Sequence, residues 1–153
     1  MDNVPPLNPY LSVSNAAAAI EFYKKAFGAE ETSRHFLPGT TKIMHAQLTI
    51  NEGIIMLSDD FSAESGGIST TPEALGGSPV TIHMQLTDVD ALWNKAVAAG
   101  ATVLMPLADQ FWGDRYGLLK DPFGHKWSLA QTKTHPTAVE LEEGAKKAFG
   151  TTK

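Results

Sequence analysis

Two segments of the chain repeat apolar residues at helical spacing, and each ends at a glycine. The first follows Asn15 and runs AAAAIEFYKKAF up to Gly28, and the second starts at Asp88 or Asp90 and runs up to Gly100. Asn and Asp side chains cap the start of a helix, and glycine adopts the left-handed conformation that ends one. The pattern therefore predicts two helices, whose final glycines are 72 positions apart.

Apolar runs separated by turn residues predict strands on either side of both helices. In the first half, IMHAQLTI and IIMLS flank the turn Asn51-Glu52-Gly53, and in the second, RYGLLK and HKWSLA flank the turn Asp121-Pro122-Phe123-Gly124. Further short strands are predicted near 10–13, 31–37, 80–86 and 102–107. The order β-α-β-β-β thus occurs twice, which indicates an internal duplication.

The length of 153 residues fits one domain. We divide it into a first module (7–58), a connecting loop (59–79), a second module (80–131) and a C-terminal tail (132–153). The connecting loop is rich in Gly, Ser, Thr and Pro, which predicts either a flap over a site or a mobile linker. Within the tail, Val139 to Phe149 predicts a helix that Gly144 weakens.

Composition narrows the class of protein. Apolar residues make up 42% of the chain, which excludes a disordered protein. The net charge of -5 and the absence of clustered Lys and Arg argue against nucleic-acid binding. The sequence has no membrane-spanning apolar run, so we expect a soluble, cytoplasmic protein without a membrane partner. Because the chain has no cysteine, disulfides, thiolate metal sites and thiol nucleophiles are excluded.

Two histidine–glutamine pairs are candidates for a binding site. His45 and Gln47 alternate on one predicted strand, and His83 and Gln85 alternate on the matching strand of the second half, so each pair shares one face of its sheet. If both faces look into one cavity, His45 or His83 is a candidate general base, because an imidazole titrates near neutral pH. The alternative is a histidine exposed at a sheet edge or hydrogen-bonded within the core.

The segment from Phe111 to Tyr116 is the densest group of binding residues. Arg115 offers a bidentate fork for an anion, and Trp112 and Tyr116 offer aromatic surfaces, as does Tyr10 in the first half. The alternative is that Asp114 and Arg115 only hold the loop in place.

The motifs IEFYKKAFGAE and LLKDPFGHKWSLA within a tandem βαβββ pattern resemble those of the vicinal oxygen chelate superfamily. This superfamily includes glyoxalase I, bleomycin- and fosfomycin-resistance proteins and extradiol dioxygenases. NPYLSV, MHAQLTI, QFWGDRYG and DPFGHKW resemble its PhnB-like branch, and the resemblance covers about residues 7–132. It implies an α+β fold in which tandem βαβββ repeats form an open cup of two curved four-stranded sheets.

The resemblance also implies four positions for a metal ion. They fall at Asn8, Gln47, Thr81 and Ser128, although a two-residue shift selects His83 instead of Thr81. Metal-dependent relatives carry Glu at the position of Ser128. Divalent metals prefer imidazoles and carboxylates, whereas these four side chains offer neutral oxygens. We therefore expect no glyoxalase-type metal and no other cofactor.

We expect a protein that binds a small, partly aromatic or anionic molecule in a cup-shaped cavity. The expected ligand-binding residues are Tyr10, His45, Gln47, His83, Trp112, Arg115 and Tyr116. The alternative is a metal-dependent isomerase, lyase or dioxygenase of the same superfamily that uses His45 and His83 as ligands. We also expect a homodimer, because apolar surface left on the helices would need a partner to cover it.

Overall fold

The computed structural model describes residues 4–150. The first module consists of β1 (Tyr10–Val13), α1 (Ala16–Phe27), β2 (Glu30–Phe36), β3 (Ile43–Ile50) and β4 (Gly53–Asp59). The connecting segment contains α2 (Ser62–Ser65) and α3 (Pro72–Leu75). The second module consists of β5 (Thr81–Gln85), α4 (Val89–Ala99), β6 (Thr102–Asp109), β7 (Asp114–Lys120) and β8 (Lys126–Thr132), and α5 (Ala138–Phe149) follows it. The helices within 4–150 are too short or too polar to cross a bilayer.

Each module forms an open four-stranded sheet. The strand orders are β1-β4-β3-β2 and β5-β8-β7-β6, so the two sheets have the same topology. In both, the first strand of the module is parallel to the last, and the remaining neighbours are antiparallel. The predicted α+β fold with two four-stranded sheets from a duplicated βαβββ unit is confirmed.

Helices α1 and α4 begin and end as their sequences predict. The side chain of Asn15 accepts a hydrogen bond from the backbone N–H of Ala18, and Asp88 rather than Asp90 caps α4. Gly28 and Gly100 close the helices with φ of 67° and 117°, in the region where a β-carbon is unfavourable. The repeat in sequence is therefore a repeat in local geometry.

The β3–β4 hairpin sets which side chains of the first sheet face the helices. Asn51 and Glu52 have φ of 47° and 66°, as a two-residue turn with right-handed strand twist requires. The resulting register places Leu48 opposite Ile55, and both are buried on the helix-bearing face. His45 and Gln47 alternate with the buried residues of β3, so they lie on the opposite, polar face of the sheet.

The helix-bearing faces of the two sheets share one hydrophobic core. Helix α1 packs against α4, and the ring of Trp127 from β8 lies 5.3 Å from that of Tyr23 and 4.8 Å from that of Phe27, both in α1. The buried residues of both modules form a single cluster. The two helices therefore cover part of each other's apolar surface within one chain, and the expected homodimer stays a prediction. Both polar faces lie outside the shared core.

A buried carboxylate joins the modules within this core. Asp121, 2% exposed, accepts hydrogen bonds from the Tyr23 hydroxyl (2.6 Å), the indole N–H of Trp127 (2.9 Å) and the backbone N–H groups of Phe123 (2.9 Å) and His125 (3.0 Å). Burial, reinforced by the Asp121 charge, raises the pKa of Tyr23 well above its usual value. The Asp121–Gly124 turn thus connects the second hairpin to α1.

The connecting segment is anchored in its second half. Thr71 and Pro72 are buried, and Glu73 accepts a hydrogen bond from the Ser14 hydroxyl (3.1 Å). A β-carbon on Gly124 would lie 2.5 Å from the β-carbon of Pro72, so the second hairpin touches the segment closely. The connection between the modules therefore packs on both of them.

Candidate functional site

The polar face of the first sheet carries a tyrosine–histidine pair. The Tyr10 hydroxyl lies 3.0 Å from Nδ1 of His45, and the ring centroids are 5.5 Å apart. His35 stands opposite His45 on the neighbouring strand, with 6.3 Å between ring centroids. Partial burial raises the pKa of Tyr10, and a hydrogen bond with Ser58 opposes this shift. Gln47 lies half-buried two residues further along the same face.

The polar face of the second sheet carries a hydrogen-bonded chain centred on His83. Its Nδ1 lies 2.7 Å from the Ser128 hydroxyl on β8, and its Nε2 lies 2.8 Å from Oε1 of Gln85. The Gln85 amide nitrogen donates to Thr132 (2.8 Å) and reaches Asp114 (3.5 Å). Two adjacent strands and the start of β7 therefore hold one polar network.

This network assigns the protonation pattern of the His83 ring. Because the Gln85 amide nitrogen faces an Asp114 carboxylate, its oxygen must face His83. Nε2 of His83 then carries the hydrogen, and Nδ1 accepts from Ser128. Both ring nitrogens are thus engaged by hydrogen bonds, and the flat face of the His83 ring is the surface that it offers to a ligand.

An aromatic pair borders the His83 network. The Tyr116 ring stacks on the His83 ring with 6.2 Å between centroids and an angle of 16°. Trp112 meets Tyr116 edge to face, with 5.5 Å between centroids. The geometry therefore brings together Trp112, Tyr116 and His83, three of the residues predicted from the sequence to line the site.

Arg115 does not join this group. It points to the helix-bearing side of β7, where its Nη2 pairs with Asp90 at the start of α4 (2.9 Å) and its Nη1 reaches Asp109 (3.4 Å). The hydrogen bonds with Asp90 raise the pKa of Arg115 and lower that of Asp90. The prediction that Arg115 faces the same cavity as His83 is wrong, because Tyr116 and Arg115 are adjacent on one strand and point to opposite faces.

Within residues 4–150, His83 and Tyr10, the partner of His45, line different cavities. A cavity of about 290 Å³ between the modules is lined by His83 and Asn8, while Tyr10 and Ser58 line a separate cavity of about 340 Å³ beside the connecting segment. Because the helix-bearing faces meet in one core, the polar faces of both sheets lie outside that core. The meeting of His45 and His83 in one cavity therefore stays a prediction, and each sheet presents half of the predicted set.

The four positions that the superfamily uses for a metal do not suit one here. Ser128 is hydrogen-bonded to His83, and the amide nitrogen of Asn8 donates to Pro5 (2.5 Å). Gln47 lies on the other sheet from Thr81. Within residues 4–150, no three His, Cys, Asp or Glu side chains come close enough to hold an ion. Neutral oxygens do not compensate the dehydration of a divalent cation.

Three polar partners in the site were not among the predicted ligand-binding residues. Asp114 and Thr132 complete the His83 network, and His35 faces His45 across the first sheet. Alternation on β7 and β8 could have indicated Asp114 and Thr132, because they share parity with Tyr116 and Ser128. His35 required the register of β2 against β3, which contains two irregularities and cannot be read from the sequence.

Two open mixed sheets from a duplicated βαβββ unit, each with a polar face beside an edge strand, define the vicinal oxygen chelate class of proteins. The model of the Glyoxalase/Bleomycin resistance protein/Dioxygenase superfamily matches residues 7–129, and the chain belongs to that superfamily. An uncharacterized protein of Mycobacterium bovis, Mb0911c, is 56% identical over 139 residues, which cover 90% of this chain and 90% of that protein.

Solved structures agree with this assignment. TioX from Micromonospora sp. ML1 is similar with a TM-score of 0.63 and 27% identity, over 87% of this chain and 100% of TioX. The PhnB protein from Bacillus cereus has a TM-score of 0.64 and 21% identity, over 84% of this chain and 100% of that one, which supports the likeness in fold.

Proposed function

We propose that this protein binds a small, flat, partly aromatic molecule at the polar faces of its sheets. The observation that carries the proposal is the tyrosine–histidine pair on each face, Tyr10 with His45 and Tyr116 with His83. Hydrogen bonds hold the rings of Tyr10, His45 and His83, and ring contacts hold Tyr116, so the four rings make a stacking surface at low entropic cost. With Arg115 paired to Asp90 on the other side of β7, the polar face lacks the guanidinium expected for an anionic ligand.

The complete site is formed by two chains of a cytoplasmic homodimer. Each chain carries two half-sites, one on the polar face of its first sheet and one on the polar face of its second sheet. A second copy can therefore place its first sheet over the second sheet of its partner. A two-fold axis then creates two equivalent sites. This arrangement supplies a shared cavity for His45 and His83.

Flat-ring binding is tested with 1,4-naphthoquinone, catechol and methylphosphonate, by calorimetry and thermal shift. The quinone suits this chain because there is no cysteine to alkylate. We expect saturable binding of the two flat probes and none of methylphosphonate. Tyr116→Leu should weaken the naphthoquinone by about three- to tenfold, as loss of an aromatic pair implies, and Tyr23→Phe in the core serves as the control. Binding of methylphosphonate alone would overturn the proposal.

Subunit complementation tests the two-chain site. Tyr10→Leu and Tyr116→Leu each damage one half, so each variant alone should lose naphthoquinone affinity. After mixing and refolding equal amounts, random pairing should restore about a quarter of the sites, because half of the dimers carry one intact combination. A site within one chain would give no recovery at all.

The site works without a glyoxalase-type metal, as its neutral oxygen donors imply. Protein purified without a chelator is expected to contain no stoichiometric Ni, Zn, Fe or Mn, and EDTA should leave the naphthoquinone dissociation constant unchanged. A stoichiometric ion whose removal abolishes binding would favour the alternative, a metal-dependent enzyme.

A further inference from the structure

The C-terminal helix α5 contacts the turn that carries Trp112. The Phe149 ring meets the Phe111 ring edge to face, with 6.2 Å between centroids. Gly144 lies directly over Phe111, and a β-carbon at position 144 would be 2.7 Å from the β-carbon of Phe111. Glycine at this position therefore provides the space in which the Phe111 side chain packs.

The chain leading into α5 is attached to the same turn. The carbonyl of Gly113 accepts hydrogen bonds from the backbone N–H groups of Lys133 (2.8 Å) and Thr134 (3.0 Å). Gly113 has a φ of 102°, and a β-carbon there would collide with the Thr134 carbonyl and the Pro136 ring. Two separate contacts, one before α5 and one within it, thus fix the turn from Phe111 to Gly113.

A continuous series of rings connects α5 to the candidate site. Phe111 meets Trp112 edge to face at 5.2 Å between centroids, and Trp112 meets Tyr116 at 5.5 Å. Tyr116 stacks on His83. A displacement of Phe111 would therefore reach the ring that borders the site, because Trp112 has Phe111 on one side and Tyr116 on the other.

The position of Gly144 is costly for the helix itself. Glycine is a poor helix former, and no residue of α5 is buried enough to compensate through packing. A capping box between Thr137 and Glu140 and an ion pair between Glu142 and Lys146 support the helix instead. The close approach to Phe111 accounts for a glycine that helix stability alone disfavours.

We infer that α5 is a positioning element of the binding site, in which Gly144 and Phe111 set the place of Trp112 and thereby the shape of ring accepted beside Tyr116. The inference rests on the proposed function for its ligand and on the contacts of α5 for its mechanism. Gly144 and Phe111 act through Trp112 and need not touch the ligand.

Fluorine NMR of protein labelled with 5-fluorotryptophan tests the positioning without any ligand. The chain has three tryptophans, and Trp112→Phe identifies the resonance of Trp112. We expect Gly144→Ala to shift this resonance and to leave those of Trp93 and Trp127 in place. Glu143→Ala, an exposed change in the same turn of α5, is the matched control and should shift none of them.

A double-mutant cycle separates positioning from a general change in folding. In the Phe111→Gly background both the ring and the β-carbon that a residue at position 144 would meet are gone, so adding Gly144→Ala should produce no further shift of the Trp112 resonance. An unmoved Trp112 resonance in Gly144→Ala, or equal shifts of all three tryptophans, would overturn the inference.

The ligand arm uses 1,4-naphthoquinone. Gly144→Ala should weaken its binding by about three- to tenfold, the range for loss of one aromatic pair, and Glu143→Ala should not. A shifted Trp112 with an unchanged dissociation constant would refute the role of α5 in ring recognition. If no flat probe binds the wild-type protein, the proposed function fails, and the fluorine shift alone decides whether α5 positions Trp112.

Discussion

Arg115 shows how one position along a strand changes the role of a side chain. Its guanidinium pairs with Asp90 and so attaches β7 to the first turn of α4. We therefore predict that Arg115→Ala lowers the midpoint of thermal unfolding slightly and leaves naphthoquinone affinity unchanged. Paired calorimetric titration and scanning calorimetry measure both quantities. If Arg115→Ala instead lost naphthoquinone affinity with an unchanged unfolding midpoint, Arg115 would belong to the binding site.

The buried hydroxyl of Tyr23 is expected to contribute measurably to stability. It donates to Asp121 over 2.6 Å inside the core, and a bond to a charged acceptor is worth about 1.5–3 kcal/mol. Tyr23→Phe removes this donor and leaves the carboxylate with its other three partners. Urea denaturation at neutral pH should show a loss in this range, whereas Tyr10→Phe, which changes an exposed residue, should cost much less.

The same residue predicts a pH dependence in alkaline solution. Burial, followed by the Asp121 charge, raises the folded-state pKa of Tyr23 well above that of an unfolded tyrosine, near 10. Its contribution is complete below pH 10 and is lost as the pH rises from there towards the folded-state pKa, because only the unfolded chain releases the proton in that window. The free energy of unfolding, measured by denaturation at several pH values between 9 and 11, should therefore decrease less steeply with pH in Tyr23→Phe than in the wild type.

At the scale of elements, β7 and α4 are pressed together at a glycine. Gly117 lies under the ring of Trp93, and a β-carbon there would overlap that ring. Gly117→Val should destabilise the protein by about 1–3 kcal/mol through overpacking. The change Thr102→Val on the neighbouring strand, where the side chain is exposed, is the comparison. Equal unfolding midpoints for the two variants would contradict this packing.

The sequence predicts the helices and strands, and it predicts part of the candidate site. Caps and glycines located α1 and α4, and alternation placed His45 with Gln47 and His83 with Gln85 correctly. The motif from Phe111 to Tyr116 groups Arg115 with Tyr116, but alternation on β7 places these neighbours on opposite faces of the sheet. The segment begins in the turn that holds Trp112, and β7 starts only at Asp114. The point at which alternation begins is therefore hidden within the motif.

The association of the modules was harder to predict. Apolar periodicity indicates that a face is buried but not which surface covers it. Modules that meet at their concave sheets and modules that meet at their helices therefore fit the same pattern. One signal was present. Helix α1 buries seven of its twelve residues, a width that a single sheet does not require, and its second side packs on α4 and Trp127.

At the scale of the whole molecule, the shared core predicts cooperative unfolding of both modules. Leu57 in the first sheet and Leu129 in the second are fully buried in the same cluster. Replacing either with Ala should cost about 2–5 kcal/mol and should lower one common transition. Scanning calorimetry with circular dichroism provides the measurement. Two resolved transitions, each sensitive to only one of the substitutions, would show that the modules fold independently.

The polar faces of the two sheets have a consequence for how the amount of protein governs ligand capture. If the proposed two-chain site holds, ligand binding and chain association are thermodynamically linked, and each must strengthen the other by the same factor. Ligand affinity then depends on protein concentration, since a dilute chain offers only half-sites. The fraction of ligand that is bound would rise more steeply than in proportion to the concentration of the protein. The protein would then sequester its ligand only above a threshold level of expression.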